Sequence, residues 1–485
     1  MAPGRTPHER PMTQSTAPPP GQASLTDLAT SPGFRLRTRE RVWTLPDLVA
    51  AGVTLAPSLP TGDGLVLEIP AIHPVETLVY LEAAFGRGFI PVPSTRARTA
   101  RALTVPRDIA GSLAPRSGAD PTRGLCEQFP SAALGIHTSG STGAPRLPVF
   151  TWAAVVTSAG RIARYLKLGP ADELALLQPL DHGFGLVGQL FAAIAAGAGV
   201  TDCASPYPGE RAAAIANARA NVVAAVPHAL LELAEHLPDL DPEAARRLRS
   251  VGSAGGRLPP AGARRLALAF PEAVIWNQYG CTEAGPRLTA VPSTHPVFYT
   301  ATVGRAIEGV RLWIASPGGG EVLAAGRPGE ICFASDTQML GYLGNPAATA
   351  QHRRAHGELH GFWTGDLGVL DPYDRLHVLG RADDLVKVRG ERVSLDAVAR
   401  AAEAAGARAA IAVLVEPALE AADGHLALVY EGDAVLTPAA IAQALPGQMG
   451  PRRLLWVPKL PRLPSGKIDR SAVESLARVA CGLGA

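Results

Sequence analysis

From about residue 40 the chain alternates short apolar runs rich in β-branched residues with longer stretches of helical period. "LVLEIP" (65–70), "PVETLVYLEAAFGRG" (74–88) and "FIPVPS" (89–94) read as strand, helix and strand, one βαβ unit. The runs "ELALLQPL" (173–180), "NVVAAVP" (221–227), "RLRSVGSAGG" (247–256) and "EAVIWNQYG" (272–280) follow, separated by alanine-rich amphipathic segments. Strands that alternate with helices predict a parallel sheet covered on both faces. After Val303 the pattern changes. "VGRAIEGVRLWIAS" (303–316) and "GRPGEICFAS" (326–335), joined across "PGGG", read as antiparallel hairpins of a small β-barrel-like subdomain. Beyond "GRADD" (380–384) come a helical "SLDAVARAAEAAG" (394–406), strands near 409–415 and 425–431 and a helix near 437–445, which suit a small α+β domain. The fold class is therefore α/β: a large N-terminal domain over 26–382, then a small C-terminal domain over 383–485. Residues 1–25, rich in Pro, Ser, Thr and Gln, are expected to be a disordered tail.

Composition narrows the function classes. At 485 residues two or three domains are expected, and a net charge of +2 with only 18% charged residues offers no field to recruit nucleic acid or an anionic membrane. The ligand is expected to be small. Five cysteines stand without C-x-x-C spacing, against a zinc site or a disulfide framework, so a reducing cytoplasm is the expected compartment. The most apolar window, Gly183 to Val200, is rich in Gly and Ala and reads as a buried, closely packed helix, not a membrane span.

The loop "HTSGSTGAPRLP" (137–148) concentrates glycines, hydroxyls and a cation after an apolar run. Such a loop can turn successive N–H groups into one concavity that suits a phosphate, though an ordinary polar turn has the same composition. The Walker pattern fails, because Ser141 and not Lys follows Gly140. Six further segments stand in order: "PLDHGFG" (179–185), "SAGGRLPP" (253–260), "NQYGCTEAG" (277–285), "WTGDLG" (363–368), "GRADDLVKVRGERV" (380–393) and "LPRLPSGKIDR" (460–470).

With the loop, this collinear set resembles the adenylate-forming superfamily of acyl-CoA synthetases, acid ligases and stand-alone adenylation enzymes, from about residue 40 to 475. The resemblance implies activation of a carboxylic acid by ATP as an acyl-adenylate, pyrophosphate release, and transfer to an acceptor with release of AMP. Under it, Thr138, Ser139, Gly140, Ser141, Thr142, Gly143 and Arg146 hold the β- and γ-phosphates. Gly255, Gly256, Arg257, Tyr279 and Gly280 form the adenine pocket, with the Tyr279 ring against the base. Thr282 bonds the α-phosphate and Glu283 holds Mg²⁺, while Asp366 and Arg381 meet the ribose hydroxyls, although they could also form a structural ion pair. Lys467 is the catalytic lysine on a mobile C-terminal domain, Asp383 its hinge, and Gly390 faces the site in the second step.

The sequence departs from the family at three points. Arg146 stands where a lysine is usual, Asp181 stands where many relatives have an aromatic, and the interval before the phosphate loop is short. His182 is expected to line the acyl pocket or to pack in the core; Asp181 is expected to cap a helix or to meet a substrate amine. No carrier segment is recognisable in the sequence, so CoA, a separate carrier protein or an amine is expected to arrive in trans. The acid itself stays open among aryl, fatty and amino acids and other oxyanions such as nitrite. The alternative is a catalytically degenerate nucleotide-binding protein of the same fold, regulatory or scaffolding.

Overall fold

The computed structural model describes residues 23–481 apart from 39, 60–64, 98–100, 103–127, 139–145, 318–320, 357–358, 389–390, 416–424, 444, 446–449 and 464–465. The larger part is built on a nine-stranded sheet. Its centre is parallel, in the spatial order Val274–Tyr279, Ser250–Ser253, Val222–Ala225, Glu173–Leu176, Gly199–Asp202 and Arg35–Arg37. Antiparallel strands close both edges, Thr289–Pro292 and Arg305–Ala306 on one side and Val42–Thr44 on the other. Apolar clusters cover both faces. One gathers Ile275, Val251, Val223 and Leu230; the other gathers Leu174, Leu186, Leu190 and Phe191. The apolar runs of the sequence therefore become buried parallel strands, as their near-continuous hydrophobicity requires.

Residues Gly183–Ala196 form the helical segment expected there, and no helix among the described residues is long and apolar enough to cross a membrane. Its middle, Leu186–Phe191, is a wide turn of π type in which every residue is buried. The last residues of that window, Gly199 and Val200, leave the helix for a central strand, because Gly197 adopts φ 69° and ends it.

The βαβ unit forms as read, with Val66–Pro70 parallel to Ile90–Ser94 across the helix Pro74–Gly86. The hairpin Val310–Ala315 with Gly329–Ser335 joins a five-stranded antiparallel sheet that includes Leu359–Leu370 and Leu376–Arg381. The C-terminal part has a three-stranded sheet, Ala409–Val415, His425–Glu431 and Arg453–Trp456. Helices Leu395–Ala404 and Arg470–Ala480 belong to it, each started by a side-chain cap, Ser394 and Asp469.

The tail expected over 1–25 is shorter at its inner end. Ser24 caps a turn over Leu25–Leu28, Leu25 and Leu28 are fully buried, and the Ser24 hydroxyl and Leu25 amide donate to Glu82. Two leucines that bury apolar area against the core outweigh the polar composition before them. Residues 1–22 lie outside the described ones.

Candidate active site

A cavity of about 1730 Å³ opens where the two parts meet. The large sheet contributes to it through the ends of its central strands. Ser250–Ser253 runs out into Gly255, Gly256 and Arg257, and Val274–Tyr279 into Gly280, Cys281, Thr282 and Glu283; all of these line it. Ligands in open α/β sheets bind at such carboxyl ends. The five-stranded sheet supplies Asp366 and Arg381, and the C-terminal part supplies Lys467.

Asp366 and Arg381 face each other directly on neighbouring antiparallel strands, and the guanidinium donates to Asp366 Oδ1 at 3.0 Å. The Tyr279 hydroxyl donates to Oδ2 of the same carboxylate at 2.6 Å, which fixes the ring of Tyr279 over the cavity. Burial raises the Asp366 pKa, opposed chiefly by the charge of Arg381. Burial also pushes the Tyr279 phenol well up, and the adjacent Asp366 adds to this. The ion pair anticipated between Asp366 and Arg381 thus exists. It leaves capacity for a ligand, since each carboxylate oxygen can accept more than one hydrogen bond.

Thr282 and Glu283 sit in the tight turn Thr282–Ala284 directly after the strand. Tyr342 OH donates to Glu283 Oε1 at 2.8 Å. Arg146 lies over the ring of Tyr342, 5.3 Å from its centroid, and contacts His352 Nε2 at 2.8 Å. The other nitrogen of His352 faces the Trp363 carbonyl at 2.9 Å. A carbonyl only accepts, so Nδ1 carries the proton and Nε2 accepts from Arg146. Thr138 is bonded to the Arg146 backbone in both directions and lines the cavity. Ser139, Gly140, Ser141, Thr142 and Gly143 lie outside the described residues, as does Gly390.

Lys467 arrives from the other side, on a loop turned by Gly466 at φ 80°. A Cβ at Gly466 would stand 2.7 Å from Val226 Cγ2, so only glycine lets this loop approach the large sheet. Lys467 keeps surface open to the cavity, yet protein surrounds the amine. That desolvation lowers its pKa below the ordinary lysine value, opposed by the charges of Glu283 and Asp366. The lysine is thus brought to the same cavity as Tyr279, Thr282, Glu283, Asp366 and Arg381.

Two expected residues stand differently. Arg257 lines the cavity, but its guanidinium is engaged by Glu403 of the C-terminal part, because the helix Leu395–Ala404 brings a half-buried carboxylate to it. His182 does not line the cavity; it stands 3.8 Å from Asp181, whose other oxygen accepts from Thr95 at 2.7 Å. Asp181 therefore does not cap a helix. Tyr342 and His352 were not singled out in the sequence. The "GYLGNP" turn (341–346) is the local signal for Tyr342; His352 has none.

For a metal, the described residues offer no cluster of three or more His, Cys, Asp or Glu side chains. The Glu283 carboxylate, at the cavity wall, fits a hard cation such as Mg²⁺ only in the manner in which Mg²⁺ is commonly held, by one carboxylate with phosphate oxygens and water.

A parallel sheet whose strand ends meet a smaller C-terminal part over a lysine and a carboxylate–guanidinium pair defines an α/β protein with a cavity at the strand ends. Residues 114–343 match the family model for AMP-binding enzymes. The chain is 32% identical to 4-coumarate–CoA ligase 2 of Oryza sativa subsp. japonica over 263 residues, 53% of this chain and 46% of that protein. To 4-coumarate–CoA ligase 1 of Solanum tuberosum it is 27% identical over 361 residues, 72% of this chain and 65% of the relative. The chain thus spans between about half and two thirds of the length of these relatives. In fold it is similar to ATP-bound MatB from Rhodopseudomonas palustris, with TM-score 0.76 and 22% identity over 93% of this chain and 97% of that one. It is also similar to o-succinylbenzoate CoA synthetase (MenE) from Bacillus subtilis in complex with the acyl-adenylate intermediate OSB-AMP, with TM-score 0.72 and 19% identity over 95% and 99%.

Proposed function

We propose that this protein is an AMP-forming ligase that activates a carboxylic acid with ATP as an acyl-adenylate and then transfers the acyl group. The observation that carries this reading is the meeting of Lys467 with Glu283, Asp366 and Arg381 in one cavity, across the junction of the two parts. A carboxylate oxygen attacks the α-phosphorus, the bond from that phosphorus to the bridging oxygen breaks, and pyrophosphate leaves. Joining two anions needs positioning and positive charge more than proton transfer. Lys467 would bridge the carboxylate and the α-phosphate as a reaching point charge. Arg146, held by His352, and the loop from Thr138 through Gly143 would take the leaving pyrophosphate. Asp366 and Arg381 would hold the ribose, Tyr279 would lie against the base beside Gly255, Gly256 and Gly280, and Thr282 would bond the α-phosphate.

Mg²⁺ bound by Glu283 would neutralise phosphate charge. In the second step a nucleophile attacks the acyl carbon, AMP leaves, and the proton of a thiol or amine passes to solvent. The named relatives are CoA ligases, which favours the thiol of CoA over a carrier-protein thiol or an amine. A swing about Asp383 between the steps would withdraw Lys467.

The test is acid-dependent exchange of labelled pyrophosphate into ATP across a panel of aryl, aliphatic and amino acids. Exchange above the acid-free rate with at least one acid is expected. A protein that binds ATP, yet exchanges with no acid and releases no pyrophosphate, would be the degenerate nucleotide-binding form instead.

A further inference from the structure

The imidazole of His352 is oriented from three sides. His352 is the last residue of the helix Pro346–His352, whose start is fixed by the Asn345 side chain accepting from the Ala348 amide at 2.9 Å. Its ring is stacked on Phe362, with centroids 5.6 Å apart and planes 13° from parallel, and it meets the Tyr342 ring nearly edge-on at 5.9 Å. Nδ1 donates to the Trp363 carbonyl at 2.9 Å. Phe362 and Trp363 are both buried on the strand Leu359–Leu370, so the ring cannot turn without leaving an aromatic face and a carbonyl.

Nε2 is thereby aimed at one group, Arg146. The guanidinium donates to it through Nη1 at 2.8 Å and lies over the Tyr342 ring, 5.3 Å from the centroid. Arg146 and His352 line the same cavity as Thr282, Glu283 and Lys467. A guanidinium carries five N–H donors in a planar fork, so the donor spent on His352 sets the plane of the fork without exhausting it. An arginine fixed in advance has already lost the rotamer freedom that it would otherwise lose on meeting a phosphate.

This hold depends on a single proton. While Nδ1 donates to the carbonyl, Nε2 accepts only in the neutral ring; a second proton makes it a donor and sets two cations against each other. Both ring nitrogens are spent, and neither on an acid. The other charged and titratable groups nearby do not answer such a charge. Tyr342 OH is committed to Glu283, and burial together with the Glu283 charge raises its pKa, so it stays a donor. Arg353 donates to the Leu340 carbonyl at 3.2 Å, and Arg354 to the Gln351 carbonyl at 2.8 Å while lying over the Trp363 ring.

We propose that His352 is a positioning residue for the pyrophosphate end of the reaction: its neutral imidazole holds Arg146 ready for the leaving phosphates, and a second proton on it releases that arginine. This rests on the adenylation reading above. The first half-reaction then weakens in acid through His352, and acyl transfer from a finished adenylate does not, because pyrophosphate has already gone.

The experiment compares the wild type with His352→Leu, His352→Gln, Arg146→Met and the double change of Arg146→Met with His352→Leu. Glutamine is neutral throughout and can accept from Arg146 with its oxygen while its amide N–H donates to the carbonyl; leucine does neither. The readouts are pyrophosphate exchange, transfer from supplied acyl-adenylate to CoA, and binding of inorganic pyrophosphate by calorimetry. In His352→Leu the KM for pyrophosphate is expected to rise about tenfold or more, the scale of one hydrogen bond to a charged group, with transfer within about twofold of wild type. In the Arg146→Met background the same change should cost nothing further, since His352 acts through the arginine. Taking the wild type from about pH 8 to about pH 5, the span in which histidines change charge, should weaken exchange more than transfer. His352→Gln should remove that difference and restore exchange at the higher pH to within a few-fold of wild type.

Equal slowing of exchange and transfer in His352→Leu, a cost that persists in Arg146→Met, or the same acid loss in His352→Gln as in the wild type overturns the proposal. If the melting curve shows that His352→Leu does not fold, the pH comparison with His352→Gln decides alone. Pyrophosphate binding that is weakened in His352→Leu and kept in His352→Gln, with no exchange by any acid, upholds His352 and sinks the adenylation reading. Exchange with an acid and unchanged pyrophosphate affinity in His352→Leu does the reverse. Neither exchange nor pyrophosphate binding in the wild type overturns both.

Discussion

The two sides of the cavity are held by different forces. On the side of the large sheet, the residues that face the cavity are extensions of buried parallel strands, and apolar clusters fix those strands from both faces. On the C-terminal side, Lys467 is presented through a contact made largely of charges. Arg257 pairs with Glu403, Lys459 with Glu232 at 2.7 Å, and His228 lies 3.7 Å from Glu431. Arg470 grips Asp384 with both nitrogens, at 2.5 and 2.7 Å, tying the helix after Lys467 to the junction. Glu232 also accepts from Arg211 and His228, and these partners hold its carboxyl well below the usual range despite burial. Apolar burial is lost only by unfolding, whereas ion pairs with one partner at the surface, such as Lys459 with Glu232, are weakened by water and salt. The difference teaches that one wall is fixed by apolar burial and the other by pairs of charges.

Removing the lysine should break this comparison most severely. Lys467→Ala is expected to lower pyrophosphate exchange by roughly 10²–10³-fold, the cost of losing one preorganised charge at the reacting centre. ATP affinity measured by calorimetry should change little, because the other wall remains. Since desolvation lowers the Lys467 pKa, its charge is complete at low pH and is lost as pH rises through the lowered value. The alkaline limb of the exchange rate should therefore fall earlier than an ordinary lysine would dictate. An unaltered rate in Lys467→Ala would remove the residue from the chemistry.

The junction offers the next test. Asp383 lies in the turn Ala382–Asp384, and its carboxylate accepts from Arg381 Nε at 3.2 Å. If the chain swings there, Asp383→Pro should hold one arrangement, since proline fixes φ. Exchange is expected to survive within a few-fold, while transfer from purified acyl-adenylate to CoA drops about tenfold or more; this is the scale of a lid that no longer completes its constellation. Equal slowing of both steps would put the hinge elsewhere.

The smallest effect should come from a single ion pair between the walls. Arg257→Ala and Glu403→Ala are each expected to alter exchange by less than about fivefold, matching the roughly 0.2–1 kcal/mol of partly exposed pairs. The two changes should be non-additive, and the difference from wild type should shrink at high salt. Full additivity would show that the pair does not couple the parts.

Much of this architecture is legible along the chain. The βαβ unit, the hairpin of the antiparallel sheet and the strands Ala409–Val415 and His425–Glu431 follow from local period, which sets the face each residue presents. Motifs whose members lie within a few residues of one another also survive as read, such as the "TGD" turn that carries Asp366 and the glycine turn that carries Lys467. Local chemistry suffices there, because a turn or a strand end is specified by its own residues.

What the chain alone did not reveal is most of the pairing across distance, the Asp366–Arg381 pair excepted. Arg257 looks like a residue of the nucleotide pocket until the helix Leu395–Ala404 brings Glu403 to it. His352 has no motif, and only the packing of Leu359–Leu370 against its turn places Nε2 on Arg146. Arg287 reads as one more basic residue in "AGPRL", and its burial against the Phe184 ring is supplied by another element. Sequence by itself determined the elements and the local turns, since these depend on neighbours along the chain. Tertiary structure decided which charges are answered and which are not, because burial and pairing are properties of the surroundings in space and not of the residue.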